Sequence, residues 1–302
     1  MSAPVVGSLR ALLRYPVKSM QGEALAAAQV LAEHGIHGDR GYAVQDRETG
    51  RIASAKDPRR FAALLACHAR VRDPLAAGLR RGPVAITLPG GVTLHSDRPG
   101  LDAALSTALA RPVQLVDAPP PQAVYDELRP GELAARRAPL AVGAQAGTFF
   151  DFAPIHIITT ASLARLGELA PASQFAIERF RPNLVIASDD PPGFIEHRWL
   201  GQVLAVGDEV RLCVTFPCPR CVMATLAQGS LPADPEVLRT AARHNPQLFA
   251  LLARKVPSVG VYASVLRGGT IRNGDTVRLA GPAPLQRAAA FLHAIKRALR
   301  RR

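Results

Sequence analysis

The sequence predicts a mixed α/β fold dominated by β-structure, with two β-barrel-like modules and a few helices. Three observations carry that expectation. Short apolar runs recur between Gly, Pro and Asp turns along most of the chain. Helix starts are few and take the form Asp-Pro. No Gly-x-Gly-x-x-Gly string or P-loop appears, which argues against a doubly wound sheet.

In chain order, "VVGSLRALLR" (5–14) reads as the first strand, and "GYAVQDRETGRIASAK" as a hairpin whose strand runs flank "DRETG". "VAITL" (84–88) and "VQLV" (113–116) add strands. Asp57-Pro58 opens a helix through "RRFAALLA". Residues 118–147 cluster proline and lose periodicity, which marks a connection. Beyond it, "NLVIAS" (183–188), "VLAVGDEVRLCV" (203–214), "VGVYASVL" (259–266) and "NGDTVRLA" (273–280) are strands again. The string Gly-Asp-x-Val-Arg-Leu occurs at 207–212 and 274–279 and reads as a turn leading into a strand. Asp234-Pro235 starts a helix over "EVLRTAARH", and Asn245-Pro246 is expected to restart one through "QLFALLARK". The expected organisation is a module over 1–118, a Pro-rich connection over 119–148, a second module over 149–280, and a basic, helical tail over 281–302.

A chain of 302 residues with 48% hydrophobic and 20% charged side chains can bury about two domain cores. No apolar run approaches the roughly 18 residues a bilayer span requires. The N-terminus lacks a signal-peptide pattern, so no transmembrane segment and a cytoplasmic location are expected. The 37 basic residues against 24 acidic ones raise the question of nucleic acid. Six of the thirteen excess charges sit in the last 22 residues (Arg287, Lys296, Arg297, Arg300, Arg301, Arg302), and aromatic residues are not interleaved with them. That distribution argues against a nucleic-acid surface and is equally consistent with a small phosphorylated ligand.

The four cysteines are too few for a disulfide scaffold, so "FPCPRC" (216–221) needs its own account. A structural zinc site wants a second pair, and Cys67 and Cys213 are singles that read as core residues. A dithiol redox couple would open a helix, whereas "CVMATLAQG" reads as another strand. A buried core thiol stays open as a reading of Cys221, but its neighbours favour a metal. The adjacent Arg220 is expected to favour thiolate, and one thiolate suits a soft metal that brings its other ligands on an organic cofactor.

Five strings occurring in order carry a family resemblance: "YPVKSM" (15–20), "GDRGYAV" (38–44), "TTASLARL" (159–166), "RFRPNLVI" (179–186) and "CPRCVMAT" (218–225). Together they resemble the MOSC superfamily. The closer likeness is to the two-part proteins with a MOSC N-terminal β-barrel module and a MOSC domain, the amidoxime-reducing component family and its bacterial relatives. The resemblance spans about residues 5–280. It implies a molybdenum cofactor (molybdopterin), with Cys221 as protein ligand to the metal and as catalytic residue. It places Lys18 and Ser19 on phosphate and pterin oxygens and Arg40 on phosphate. Thr160, as a helix cap, and Ser162 would form an anion site at a helix start, while Arg181 and Asn183 match cofactor-binding positions. Arg220, Thr225 and Tyr262 are further candidates.

The implied activity is reductive oxygen removal from small N-hydroxylated or N-oxide substrates, with electrons from a separate donor protein. Asp151 and His156 are proton-handling candidates by position, whereas Glu196 and Trp199 read as structural. Two departures bear on substrate: Pro219 inside the cysteine loop, and "RIASAKDP" after the hairpin. Two other classes stay open. One is a molybdenum-cofactor or sulfur carrier without reductase activity. The other is a nucleic-acid or membrane-surface binder acting through the tail, whose Leu285, Phe291, Leu292, Ile295 and Leu299 lie near helical spacing.

Overall fold

Seven strands close a barrel. They are β1 (Val5–Arg14), β2 (Ile155–Thr159), β3 (Leu184–Ala187), β4 (Gln202–Val206), β5 (Val210–Pro219), β6 (Arg254–Arg267) and β7 (Thr276–Pro282). The computed structural model describes residues 3–32, 34–72, 81–119, 123–128, 140–143 (backbone), 148–249 and 254–283. Around the barrel the order is β2-β3-β1-β7-β4-β5-β6, and β6 pairs back onto β2. Closure satisfies both edges of every stave.

Alternation explains the strands. Leu204 and Val206, Leu212 and Val214, and Val261, Ala263 and Val265 occupy every second position and point into one buried cluster. Leu9 and Leu12 join the same cluster although they are three residues apart. A bulge between Leu9 and Ala11 resets the alternation and keeps both inside. The β2–β3 contact is parallel, so its connection crosses over through the helices Thr160–Leu169 and Ile177–Phe180. These two strands are buried on both faces: Ile155 and Ile157 face the barrel, while Ile158 and Val185 pack under Leu166, Phe180, Val237 and Ala241. That double burial is why "IHII" and "LVIA" read as unbroken apolar runs.

A second core gathers Val17, Met20, Val44, Phe61, Leu64, Ile86 and Leu105. Around it lie the paired strands Ala43–Asp46 and Val113–Val116, and a sheet of His68–Val71, Val84–Thr87 and Thr93–His95. The helix Leu101–Ala108, which the sequence reading did not anticipate, supplies Leu101 and Leu105. Strand placement crosses the sequence division expected near residue 118. β1, first in the chain, is a stave between β3 and β7, and Ala27–Leu31 pairs with Gly269–Arg272.

Several local expectations are corrected. Pro246–Phe249 is a strand paired with β6, not a helix. Proline tolerates the first position of a strand, and Phe249 is fully buried against Phe152 and Phe216. "VMAT" is a 3₁₀ turn over Val222–Thr225 rather than a strand, closed by the Thr225 hydroxyl on Val222 O at 2.8 Å. "RIASA" contributes a single bridging residue, Ile52, to Gln45 and Tyr125. Within the Pro-rich connection, Val124–Glu127 pairs with Leu140–Gly143. The helical tail is a reading of residues 281–302; Gly281 and Pro282 end β7, and residues 284–302 lie outside the described residues.

Candidate functional site

One end of the barrel, the 15–20 loop, the 54–56 segment and residues 149–153 enclose a cavity of about 470 Å³. Of the sequence-predicted residues, Lys18, Ser19, Arg40, Arg181, Asn183, Arg220, Cys221 and Tyr262 line it. Thr160, Ser162 and Thr225 are not among its lining residues.

Two tyrosines organise the cations. Tyr15 is buried, with the Arg40 guanidinium 4.9 Å and the Arg181 guanidinium 4.3 Å from its ring centroid. Its hydroxyl has no hydrogen-bond partner, and burial pushes its pKa up to about 12. Tyr125 carries Lys18 and Lys56, each with Nζ 4.7 Å from its ring. Asp151 bridges these lysines, taking Lys18 on Oδ1 and Lys56 on Oδ2. Burial alone would raise the Asp151 pKa; Lys18 and Lys56 outweigh it and hold the carboxyl far below the usual range.

The backbone is committed as well. Ser19, Arg40 and Arg181 lie in the left-handed region at φ 66°, 46° and 55°, where residues with a Cβ are rarely found. Each is held there by bonds across the site. The Ser19 hydroxyl accepts Ala55 N, Arg40 N donates to Tyr15 O, and Arg181 Nη1 donates to Met20 O at 2.6 Å. Asn183 cross-links the floor: its Oδ1 accepts His156 N at 3.1 Å and Arg40 Nη1 at 3.4 Å, and its amide donates to Leu13 O. Gly260, at φ +79°, lets β6 approach His156, since a Cβ there would sit 2.4 Å from Nε2.

Cys221 is the cysteine left partly open; Cys67, Cys213 and Cys218 are buried. Its thiol is pushed up by burial, with Lys56 opposing, Glu127 adding to the rise and Arg220 contributing least. The expectation that Arg220 tips Cys221 toward thiolate is therefore corrected. The Arg220 guanidinium turns away to Phe180 O at 3.0 Å and Pro219 O at 3.2 Å. Among the described residues no group of three or more His, Cys, Asp or Glu side chains is placed to hold a metal, so Cys218 and Cys221 lack the partners of a zinc clip.

The helix-start anion site is corrected too. Thr159, not Thr160, caps the helix by accepting Ser162 N at 3.1 Å. The anion beside that cap is the chain's own Glu196, fully buried, which accepts from the Thr159 hydroxyl at 2.8 Å, the Ser162 hydroxyl and Gly260 N at 3.1 Å. Burial pushes the Glu196 pKa up, against those donors. Ser162 thus serves a structural carboxylate.

His156 does line the cavity, but burial and then Arg220 push its pKa well down, so it stands neutral. Residues the sequence reading did not single out include Lys56, Glu127, Met223 and Arg254, with the aromatic wall of Phe149, Phe150, Phe152 and Phe249. Phe152 packs edge-on against Phe249 at 5.3 Å, and Phe216 against Tyr262 at 5.4 Å. Lys56 lay within "RIASAKDP", a string already marked as a departure.

Counted by charge, the wall holds seven basic side chains against two acidic ones, Glu127 and Asp151, and both acids are already paired with lysine. Burial lowers the Arg181 pKa to about 10, and the neighbouring Arg40 adds to the fall. A donor set of several cations and one partly open thiol fits a ligand that is anionic and carries a soft metal.

Fold and cavity define a barrel protein with a cation-lined enclosure and one partly open thiol. The chain belongs to the MOSC-domain proteins: the MOSC domain profile matches residues 145–278, and the MOSC N-terminal beta barrel domain profile matches residues 6–104. Mitochondrial amidoxime-reducing component 1 of Homo sapiens is 28% identical, covering 91% of this chain and 84% of that protein. Mitochondrial amidoxime reducing component 2 of Rattus norvegicus is 33% identical over 42% of this chain and 37% of its own length. Among solved structures, the YuaD protein from Bacillus subtilis aligns over 90% of this chain and 93% of its own, at 11% identity and a TM-score of 0.42.

Proposed function

We propose that this chain is a molybdenum-cofactor-dependent oxidoreductase that removes oxygen from small N-hydroxylated or N-oxide substrates. The carrying observation is the cavity itself: one partly open thiol, Cys221, at the wall of an enclosure lined by seven basic side chains and two acidic ones. The relatives named as amidoxime-reducing components support the substrate class.

When bound, the cofactor supplies two-electron oxygen-atom abstraction. The chain's residues do the rest. Lys18, Arg40 and Arg181 would pair with its phosphate and pterin oxygens, Arg220 would add positive charge, and Cys221 would be the protein's ligand to the metal. Ser19 and Asn183 fix the loops from which those cations project, while Tyr262 and the phenylalanines give the substrate an apolar wall that excludes water. Electrons come from a separate donor protein. The cysteines in free form support a reducing compartment, and we place the protein in the cytoplasm. Among the described residues, no helix is long and apolar enough to cross a membrane.

The test is metal and pterin analysis of protein made in a host that synthesises the cofactor, beside Cys221→Ala. Near-stoichiometric molybdenum with pterin oxidation products, a changed metal coordination in the variant, and turnover of an amidoxime with a donor protein are expected. Molybdenum without turnover by any donor would instead favour a carrier. Absence of molybdenum and pterin would overturn the reading.

A further inference from the structure

Reduction of a hydroxylamine, R₂N–OH + 2 e⁻ + 2 H⁺ → R₂N–H + H₂O, needs two protons for each electron pair taken from the donor protein. The acids expected from the sequence do not supply them. Asp151 is clamped between Lys18 and Lys56 as a carboxylate, and His156 is neutral with Nε2 3.3 Å from Val259 O. Burial pushes the Tyr262 hydroxyl well up.

Glu127 is differently placed. It ends the strand Val124–Glu127, lines the cavity, and keeps 25% of its side chain exposed. Its Oε2 accepts from Lys56 Nζ at 3.2 Å, while Lys56 itself is only 6% exposed. Lys56, Glu127 and Cys221 line the same enclosure. The strand that carries Glu127 is pinned: Leu128 N donates to Lys56 O at 2.9 Å, Ile52 N to Val124 O at 2.8 Å, and Arg51 and Arg60 both clamp Asp126. A carboxyl group is thereby fixed at the boundary between water and cavity.

We propose that Glu127 is a further catalytic residue, passing protons from water at the cavity mouth to the substrate oxygen and nitrogen beside Cys221, with Lys56 as its positioning partner. This rests on the oxygen-removal reading above. Each turnover runs the relay twice: the carboxylate takes a proton from solvent, gives it to the departing oxygen or to the nitrogen, and returns to carboxylate. The electron pair comes wholly from the donor protein. Lys56 orients the carboxylate and gives no proton to the substrate directly, because its three N–H groups are spent on Asp151 Oδ2, Glu127 Oε2 and the Tyr125 hydroxyl; only through Glu127 do its protons reach water.

Two measurements test this. In the metal-free, full-length chain, ¹⁵N NMR reads the rate at which the Lys56 ammonium protons exchange with water. Glu127→Gln keeps the shape and removes the relay, and exchange is expected to slow about tenfold. In the loaded protein with its donor, the same variant is expected to lose about 100-fold in kcat and to gain a solvent deuterium isotope effect. Its KM and molybdenum content should stay at parental values, and Glu127→Asp should restore part of the rate. Unchanged Lys56 exchange, or unchanged kcat, overturns the proposal; so does loss of molybdenum from Glu127→Gln, which would make Glu127 a binding residue. Exchange that slows in a chain whose parent has no reductase activity overturns the oxygen-removal reading and the catalytic role together. Unchanged exchange in an active parent overturns the relay alone.

Discussion

Asp151 shows how much one side chain holds at this site. It neutralises two buried lysines, so Asp151→Asn leaves both ammonium groups close together beside Tyr125 without the carboxylate they share. The expected loss is about 3 kcal/mol or more in urea unfolding, because breaking a buried pair strands a charge. Since the carboxyl pKa is lowered in the folded chain, its stabilisation is present above about pH 4 and is lost as pH falls toward the folded value. Asp151→Asn should therefore flatten the acid limb of the stability curve, and an unchanged limb would refute the clamp. Gly260 gives a steric counterpart. Alanine there meets His156 Nε2 at 2.4 Å and the Ile157 carbonyl at 2.5 Å, at a φ of +79°. A loss of about 2 kcal/mol is expected. Adding His156→Ala should recover only part of it, because the Ile157 clash is with backbone. The Gly260 cost could not be read from "VGVY" or "PIHI" alone, since it depends on two strands meeting.

At the scale of the element, the helix Thr160–Leu169 tests which threonine does the capping. Thr159→Val removes the acceptor for Ser162 N and a donor to Glu196, and should cost about 1–2 kcal/mol. Thr160→Val disturbs a 3.2 Å bond from Ser188 N on a part-buried surface, and should cost less than half as much. Equal losses in thermal or urea unfolding would overturn the assignment. "TTASL" announced the helix, because a hydroxyl before a periodic apolar run is a local signal. It could not say that the preferred anion was Glu196, which reaches the helix start from elsewhere in the chain. The same division runs through the other elements. β4–β7 were legible from alternation, and three of the seven basic side chains of the cavity wall, Lys18, Arg40 and Arg181, were legible from the "YPVKS", "GDRG" and "RFRPN" strings. Pro246–Phe249 was misread as helical because "NPQLF" carries a helix-start signal, while the pairing to β6 that overrides it is tertiary. Lys56, Tyr125 and Glu127 form one cluster from distant segments, and no single string announces it.

For the whole molecule, the decisive fact is that β1 belongs to the barrel of the second half. Its residues Ser8–Leu12 pair with β3, and Val5–Ser8 pair with β7. Removing it would open the barrel between two staves and expose Leu184, Ile186 and Val277 of the shared core. It would also detach the 15–20 loop, and with it the Lys18 and Tyr15 that organise the cavity. A fragment of residues 119–302 is thus expected to lack a cooperative unfolding transition and to bind the hydrophobic dye ANS, in spite of containing the whole match to the MOSC domain profile. Mixing it with a fragment of residues 1–118 should restore the transition and near-ultraviolet circular dichroism, because the missing stave and the second core return together. The Leu12→Asp form of the shorter fragment should fail to do so, since it brings a charge into the barrel interior. A cooperative, dye-silent 119–302 fragment would mean that the barrel closes without β1, and that the cavity's cations are an attachment to the fold instead of a consequence of it.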